Sequence, residues 1–359
     1  MRHLVNLLPL LPLLAACSSE PASTAQAAPE ANLLQSGFQL EPEHAIHPLS
    51  GDFANNPATA RFIDKMVQEH GFERQQLHDV LAQAQRLDWV VRLMDKQAPS
   101  GQPSSTPNGA WIRYRSKFLT PDNVQNGVAF WNKYDEALQR AWQVYGVPPE
   151  IIVGIIGVET RWGRVMGKTR IIDALATLSF EYPRRAEFFS GELETFLLMA
   201  RAEGDDPLSL RGSYAGAMGY GQFMPSSFKN YAVDFNGDGH VNLWDPVDAI
   251  GSVANYFKAH GWTRGGTVAI PANGQAPGLE TGFKTNYAIS SLAAAGLTPQ
   301  GSLAGYQQAS LLRLDMGNRY QYWYGLPNFY TITRYNHSVH YAMAVWQLGE
   351  AVGRARRGQ

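Results

Sequence analysis

Cysteine is almost missing from this 359-residue chain: Cys17 is the only one. A lone thiol cannot close an internal disulfide, which excludes a disulfide framework and a dithiol redox centre. Charge is scarce too. Asp, Glu, Lys and Arg make up 17% of the residues, against ~25% in average globular chains. The formal net charge is −1, so the bulk attraction that a polyanion-gripping surface uses is lacking, and no nucleic-acid partner is expected. The apolar run at 4–16, LVNLLPLLPLLAA, has thirteen residues and two prolines. Spanning a bilayer takes ~20 residues. No repeat of fixed period is present.

What is there begins with a targeting segment. Arg2 and His3 precede the apolar run, as in a signal peptide, and the run ends in Leu14-Ala15-Ala16-Cys17. These residues resemble a bacterial lipobox. The resemblance implies a signal peptide at 1–16 and a lipid on Cys17; an ordinary signal peptide containing a chance cysteine is the alternative. Ser18 stands where an Asp would mark inner-membrane retention. By resemblance to Gram-negative lipoproteins, the chain is expected at the periplasmic face of the outer membrane. The lipidated end and a Ser/Ala/Pro-rich tether occupy 17–52. Such a chain is anchored to a membrane rather than spanning it.

The rest is long enough for two or three domains, rich in apolar residues at 45%. Helical periodicity predicts two helices over 57–95 broken at His70-Gly71, and one over 123–146 closed by Gly146. It predicts helix over 173–204 with a break near Pro183, and helix over 333–356. Residues 264–330 turn Gly/Thr/Pro-rich with short alternating runs, which predicts a small β-containing insertion. The expected fold class is α+β, mainly α-helical. The expected domains are a helical one at 53–107, a core at 108–263 plus 331–359, and the β-containing one at 264–330.

PPEIIVGIIGVETRWGR, 148–164, carries the chemistry. Proline and an acid suit a helix start, and Trp162-Gly163 suits its end. Ile152, Ile155 and Ile156 stand seven, four and three residues before Glu159, so Glu159 is expected on the helix stripe that packs inward, away from a wet side. Desolvation there raises a carboxyl's pKa and keeps it protonated near neutrality. A poised carboxylic acid is what protonation of a glycosidic oxygen requires. The plainer reading pairs Glu159 with Arg161 or Arg164.

GSYAGAMGYGQFMPSSF, 212–228, is dense in glycine, which lets backbone approach a ligand closely. Ser213, Gln222, Phe223 and Met224 set a hydroxyl, an amide and apolar surface together. That combination suits an N-acetylated sugar, with the amide on the acetamido group and Phe223 or Met224 over its methyl. A tight turn without a ligand is the alternative.

In this order, the two stretches resemble the membrane-bound B type of lytic murein transglycosylase. The resemblance covers nearly all of the mature chain. It places the catalytic acid at Glu159 in GVETRWG, and binding roles on Ser213 and Gln222. It puts Tyr335 and Asn336 of YNHS on the cleft wall opposite, with Tyr114 of WIRYR in the cleft as well. It implies a lysozyme-like fold with a central core holding the cleft. It also implies cleavage of the β-1,4 bond between N-acetylmuramic acid and N-acetylglucosamine without water, giving 1,6-anhydro ends. Peptidoglycan strands are then the partner, with other cell-wall enzymes as further candidates. A single acid suffices in that reaction because the substrate's own C6 hydroxyl is the nucleophile. Two other readings stay open: a hydrolase with a second acid, such as Asp173 or Glu181, and a non-catalytic murein- or calcium-binding scaffold.

DFNGDGHVNLWDPVD, 234–248, resembles an EF-hand loop. Asp234, Asn236 and Asp238 alternate as hard oxygen donors, Gly239 permits the sharp turn, and His240 offers its carbonyl, a pattern suited to Ca²⁺. Asp245-Pro246 looks like an N-cap followed by a first-turn proline. The last ligand is therefore expected at Asp248, three residues later than usual. The calcium is expected to be structural. An Asp/Gly-rich turn without metal is the alternative.

Overall fold

The computed structural model describes residues 47–97 and 106–359. The signal peptide, Cys17 and most of the tether lie outside the described residues. Among the described residues, no single helix is long and apolar enough to cross a membrane.

The fold is mainly helical with one curled sheet. Pro57–His70 starts on the Asn56 side chain and ends at Gly71 (φ 62°), as expected. The remainder of 57–95 differs from expectation, because Arg74–Ala82 and Asp88–Gln97 are separate helices. Gln85 N–H donates to Asp173 Oδ1 at 2.9 Å, and Leu87 N–H to Thr177 Oγ1 at 3.0 Å. Side chains of the helix Ile171–Glu181 thus capture the amides that would have continued the period. The predicted helix over 123–146 is likewise two, Pro121–Lys133 and Asp135–Tyr145, split at Tyr134 and closed by Gly146 (φ 72°). Residues 333–356 are split as well. Pro327–Tyr335 ends where Asn336 becomes extended, and Ser338 caps Val339–Arg356 by accepting from Tyr341 N–H. The break near Pro183 is present as a 3₁₀ turn between Ile171–Glu181 and Ala186–Glu203.

The helix Pro149–Thr160 runs through the middle of the core, and all of its residues except Glu150 are buried. It has no wet side to contrast with, which corrects the amphipathic expectation. Its glycines explain the close fit. A Cβ on Gly154 would lie 2.3 Å from Val345 O, and one on Gly349 would lie 1.9 Å from Glu150 O. The central helix and Val339–Arg356 therefore touch backbone to backbone, as small residues allow.

Two short strands, β1 (Thr169–Arg170) and β2 (Arg211–Gly212), pair antiparallel at the root of the 212–228 loop. The 264–330 stretch supplies β3 (Ala269–Asn273), β4 (Tyr287–Ala288), β5 (Thr298–Pro299), β6 (Gln308–Asp315) and β7 (Tyr320–Gly325). They form one antiparallel sheet in the order β4-β6-β7-β3-β5. It covers its own apolar cluster, which includes Leu292, Leu297, Leu311, Tyr322 and Tyr324. By contrast, the apolar side chains of 53–97, among them Phe53, Phe62 and Leu81, join the same cluster as the central helix. Among the described residues, 53–97 and the central helix thus share one apolar cluster.

Sheet and core are tied at Asp315, at the end of β6. Its carboxylate accepts N–H groups from Asn108 and Gly109, at the start of the short helix Ala110–Arg115, and from Gly317. Burial opposes ionisation there, but these donors outweigh it and hold the carboxyl down at about 2.

Candidate active site

Glu159 sits in the last turn of the central helix and is 7% exposed. Among the described residues no basic side chain pairs with it. The sequence-level alternative partners lie elsewhere, since Arg164 donates to Asn126 Oδ1 at 2.7 Å and Arg161 begins the turn away from the helix. Its bonded partner is Tyr341, whose hydroxyl donates a short hydrogen bond to Glu159 Oε1. Burial pushes the carboxyl up to about 7, and the Tyr341 bond pulls the other way. Near neutral pH the acid is thus split between its protonated and ionised forms.

Three phenols surround it. Burial first, then the nearby Glu159 charge, raises Tyr114, Tyr335 and Tyr341 well above the ordinary phenol value. Tyr335 stacks on Tyr341 with ring centres 6.5 Å apart, and its hydroxyl donates to Gly221 O at 2.5 Å. Tyr114 Oη is buried without a hydrogen-bond partner among the described residues. A buried hydroxyl left so is costly, and a ligand oxygen can satisfy it.

The 212–228 loop is bound to the helix end. Thr160 Oγ1 lies 3.0 Å from Tyr220 O, to which it can donate, and it accepts Gly163 N–H at 3.1 Å. Gln222 donates from Nε2 to Gly219 O at 2.9 Å and to Met166 O at 3.2 Å. Ser213 Oγ accepts Ala217 N–H at 3.0 Å and Ala215 N–H at 3.3 Å. Both side chains therefore hold the loop's shape. Among the described residues, the non-glycine residues with positive φ are Arg161 (50°), Trp162 (56°) and Gln222 (54°). All flank Glu159 in sequence or lie on the facing loop. Such backbone strain costs of order 1 kcal/mol per residue and clusters where function fixes a shape.

A narrow cavity beside the tyrosines is lined by Glu192, Gln222, Met224, Arg334, Tyr335 and Asn336. Met224 is half-buried. Phe223 also borders the cavity, but it is 2% exposed and packed against Tyr256 and Tyr335. Of the two apolar candidates, Met224 is the one with surface to offer.

The expected second acids are engaged elsewhere. Asp173 pairs with Arg170 Nε at 2.7 Å. Glu181 accepts from Asn56 at 3.1 Å and pairs with Arg86 at 3.2 Å. The sequence reading missed Tyr341 and Glu192. Glu192 is buried, and it accepts Ser226 N–H at 2.8 Å and Ser226 Oγ–H at 2.6 Å. It stands three residues after Phe189 and four before Phe196, the same pattern that drew attention to Glu159. Tyr341 carried no such signal, because it sat inside an apparently continuous helix.

The 234–248 loop curls around its acids. Asp234 accepts N–H groups from Gly237, Asp238 and Gly239. Asp248 is fully buried and accepts from Phe235, Asn236 and Asn242. Asp245 caps Pro246–Ala259 by accepting from Val247 and Asp248. Asn236 Nδ2 donates to Asp238 Oδ2 at 3.0 Å. Two carboxylates and an amide on one turn, with Asp248 bonded to that turn from the helix that follows, are a hard-oxygen set that fits Ca²⁺.

Residues 54–350 match the family model described as transglycosylase SLT domain. The chain is 74% identical over 357 residues to membrane-bound lytic murein transglycosylase B of Escherichia coli (strain K12), covering 99% of each. Its structure matches that of the E. coli lytic transglycosylase SLT35 in complex with calcium. The TM-score is 0.85 at 76% identity, covering 89% of this chain and all of that one. SltB3 from Pseudomonas aeruginosa, in complex with NAG-NAM-pentapeptide, matches with a TM-score of 0.71 at 32% identity, over 83% of this chain and 80% of that one. The buried Glu159, the phenols around it and the glycine-rich loop bonded to its helix thus sit in a chain that belongs to the SLT-domain transglycosylases, with the membrane-bound lytic murein transglycosylases B.

Proposed function

We propose that the chain is a lytic transglycosylase that cuts the β-1,4 bond from N-acetylmuramic acid to N-acetylglucosamine in peptidoglycan, with Glu159 as acid and then base. The observation that carries this reading is a buried Glu159 whose carboxyl is lifted to about 7 and whose one bonded partner among the described residues is the Tyr341 hydroxyl. The protonated carboxyl gives its proton to the glycosidic oxygen as the C1–O bond breaks. The muramoyl C1 becomes oxocarbenium-like, and Tyr341 stabilises the carboxylate left behind. That carboxylate takes the proton of the same sugar's C6 hydroxyl, whose oxygen bonds to C1 and closes the anhydro ring. Glu159 ends protonated, so no water is consumed. A tethered nucleophile spares the entropy of recruiting one.

In the same reading, Gln222 and Ser213 fix the loop that faces the muramoyl unit, and Met224 covers part of it. Tyr335 and Asn336 line the opposite side, and Tyr114 offers its free hydroxyl to the sugar. Asp234, Asn236, Asp238, the His240 carbonyl and Asp248 would hold a structural Ca²⁺, whose charge gathers the loop's oxygens; no chemical step passes through it. A lipid on Cys17 would hold the enzyme at the outer membrane's periplasmic face, near its substrate. Replacing Cys17 by Ser should move the protein to the soluble fraction. The test of the chemistry is digestion of murein sacculi followed by mass analysis. Anhydromuropeptides are expected; products heavier by one water would mean a hydrolase, and no release would mean a binder.

A further inference from the structure

A second cavity, of about 540 Å³, lies where the 264–330 sheet meets the helix Pro327–Tyr335. The sheet side presents Phe283, Lys284, Asn286 and Gln308, and the helix presents Tyr330 and Thr331. Nothing in the proposed chemistry uses it. No carboxylate is among its lining residues.

It adjoins the sugar site along two lines. Arg334 borders the narrow cavity beside Gln222 and Asn336. Its guanidinium also lies 5.8 Å from the Tyr330 ring centre, with Nη1 3.4 Å from Tyr330 Oη. On the other line, the Phe283 ring lies 5.9 Å from that of His337, the residue after Asn336. His337 Nε2 is buried without a hydrogen-bond partner among the described residues.

The charge is one-sided. Burial, then Arg334 and Lys284, lowers the pKa of His337, so both cations face it. Among the described residues no carboxylate forms an ion pair with Lys284 or Arg334, and none lines the cavity. Lys284 lies over the Phe283 ring and Arg334 over the Tyr330 ring, whose centres are 6.4 Å apart; two cations about one aromatic pair fit an anionic ligand. Tyr330, 44% exposed, adds an aromatic face.

We propose that this cavity docks the acidic stem peptide carried by the muramoyl unit, with Lys284 and Arg334 receiving its carboxylates. The inference rests on the transglycosylase reading and extends it to a part of the substrate outside the reacting sugars. Charge favours the peptide over further glycan, because N-acetylglucosamine is neutral and the peptide carries several carboxylates. Phe283 and Tyr330 would cover its aliphatic stretches. The sheet then serves to choose peptide-bearing strands rather than to cut them.

The test compares the full chain on peptide-bearing glycan strands and on strands stripped of peptide by an amidase. Lys284→Glu should lower kcat/KM on peptide-bearing strands by about tenfold, through KM, as expected for reversing a rim charge that meets an anion. It should leave stripped strands unchanged, and Lys284→Arg should retain most of the parent's value. A second measurement needs no turnover. The full chain carrying Glu159→Gln should bind the free stem tetrapeptide, more weakly as salt rises and more weakly again with Lys284→Glu. An equal change on both substrates, or none on either, overturns the proposal, as does a tetrapeptide affinity indifferent to Lys284. If the parent makes no anhydro ends from either substrate, the transglycosylase reading fails instead, and the tetrapeptide titration still decides the fate of the cavity.

Discussion

Glu159 and Asp248 are both acids that the fold hides, 7% and 0% exposed, yet their surroundings are opposite. Asp248 accepts backbone N–H groups from Phe235, Asn236 and Asn242. Glu159 accepts a single phenol. Desolvation disfavours the charge on both, and donors can offset it. Burial still raises the pKa of Asp248, but three backbone donors pull against it and tie the acid to its loop. The acid with one donor is built to hold a proton and release it. Glu192 belongs with Asp248, since burial raises its pKa while the Ser226 hydroxyl and amide pull it back; Asp173 is bonded by Arg170 and the Gln85 amide. Burial alone therefore does not single out an acid in this protein; Glu159 differs in having one side-chain donor and no backbone donor among the described residues.

The strongest way to break this contrast is Glu159→Gln. Activity on sacculi should fall by roughly 10²- to 10⁴-fold, as for loss of a general acid, and residual lysis near the parent's would place the acid elsewhere. The same variant should be more stable at high pH. Below about pH 4.5 the carboxyl is protonated in both folded and unfolded chains, so it makes no difference there. As pH rises from 4.5 towards 7 the unfolded chain ionises first, and stability drains away, by roughly 3 kcal/mol in all. Melts of Glu159→Gln and parent should hence coincide at pH 4 and separate at pH 8, with the variant higher. A parent that melts higher at pH 8 would contradict the burial argument.

Asp173→Ala should act in the opposite sense. It strands the largely buried Arg170 and should cost about 3 kcal/mol, seen in urea unfolding, with kcat below the melt nearly intact. A selective loss of kcat would return Asp173 to the list of second acids. Next in size is the metal loop. Chelation should lower the Tm by a few degrees, and calcium should restore it, as for any ligand bound to the folded state alone; turnover at low temperature should not change. A melt indifferent to both additions would remove calcium from the loop. The smallest effect sharpens the comparison most. The Tyr341 bond lowers the pKa of Glu159, so Tyr341→Phe should shift the alkaline limb of the pH–rate profile upward. A downward shift would mean that Tyr341 stabilises the protonated form.

Much of this was legible in the sequence because the decisive signals are local. A proline-started apolar helix ending in an acid, a glycine-dense loop and alternating oxygen donors all lie within short stretches. Gly146 and the break near Pro183 were legible for the same reason. What escaped was set by distant partners. The break at 83–87 exists because Asp173 and Thr177, about ninety residues on, take the amides of Gln85 and Leu87. The break at Asn336–Ser338 turns one helical period into two helices and brings Tyr341 onto Glu159, 182 residues away in sequence. The cavity beside the sheet was beyond reach for a similar reason, since Phe283 and Tyr330 carry no shared motif and their rings meet only through the fold.

Asp315 couples the sheet to the short helix beside Glu159. A single side chain at the end of β6 grips the first amides of the short helix that holds Tyr114. Cutting out residues 264–330 would unclasp that helix along with the sheet, so whatever occupies the sheet has a mechanical line to the buried tyrosine beside Glu159.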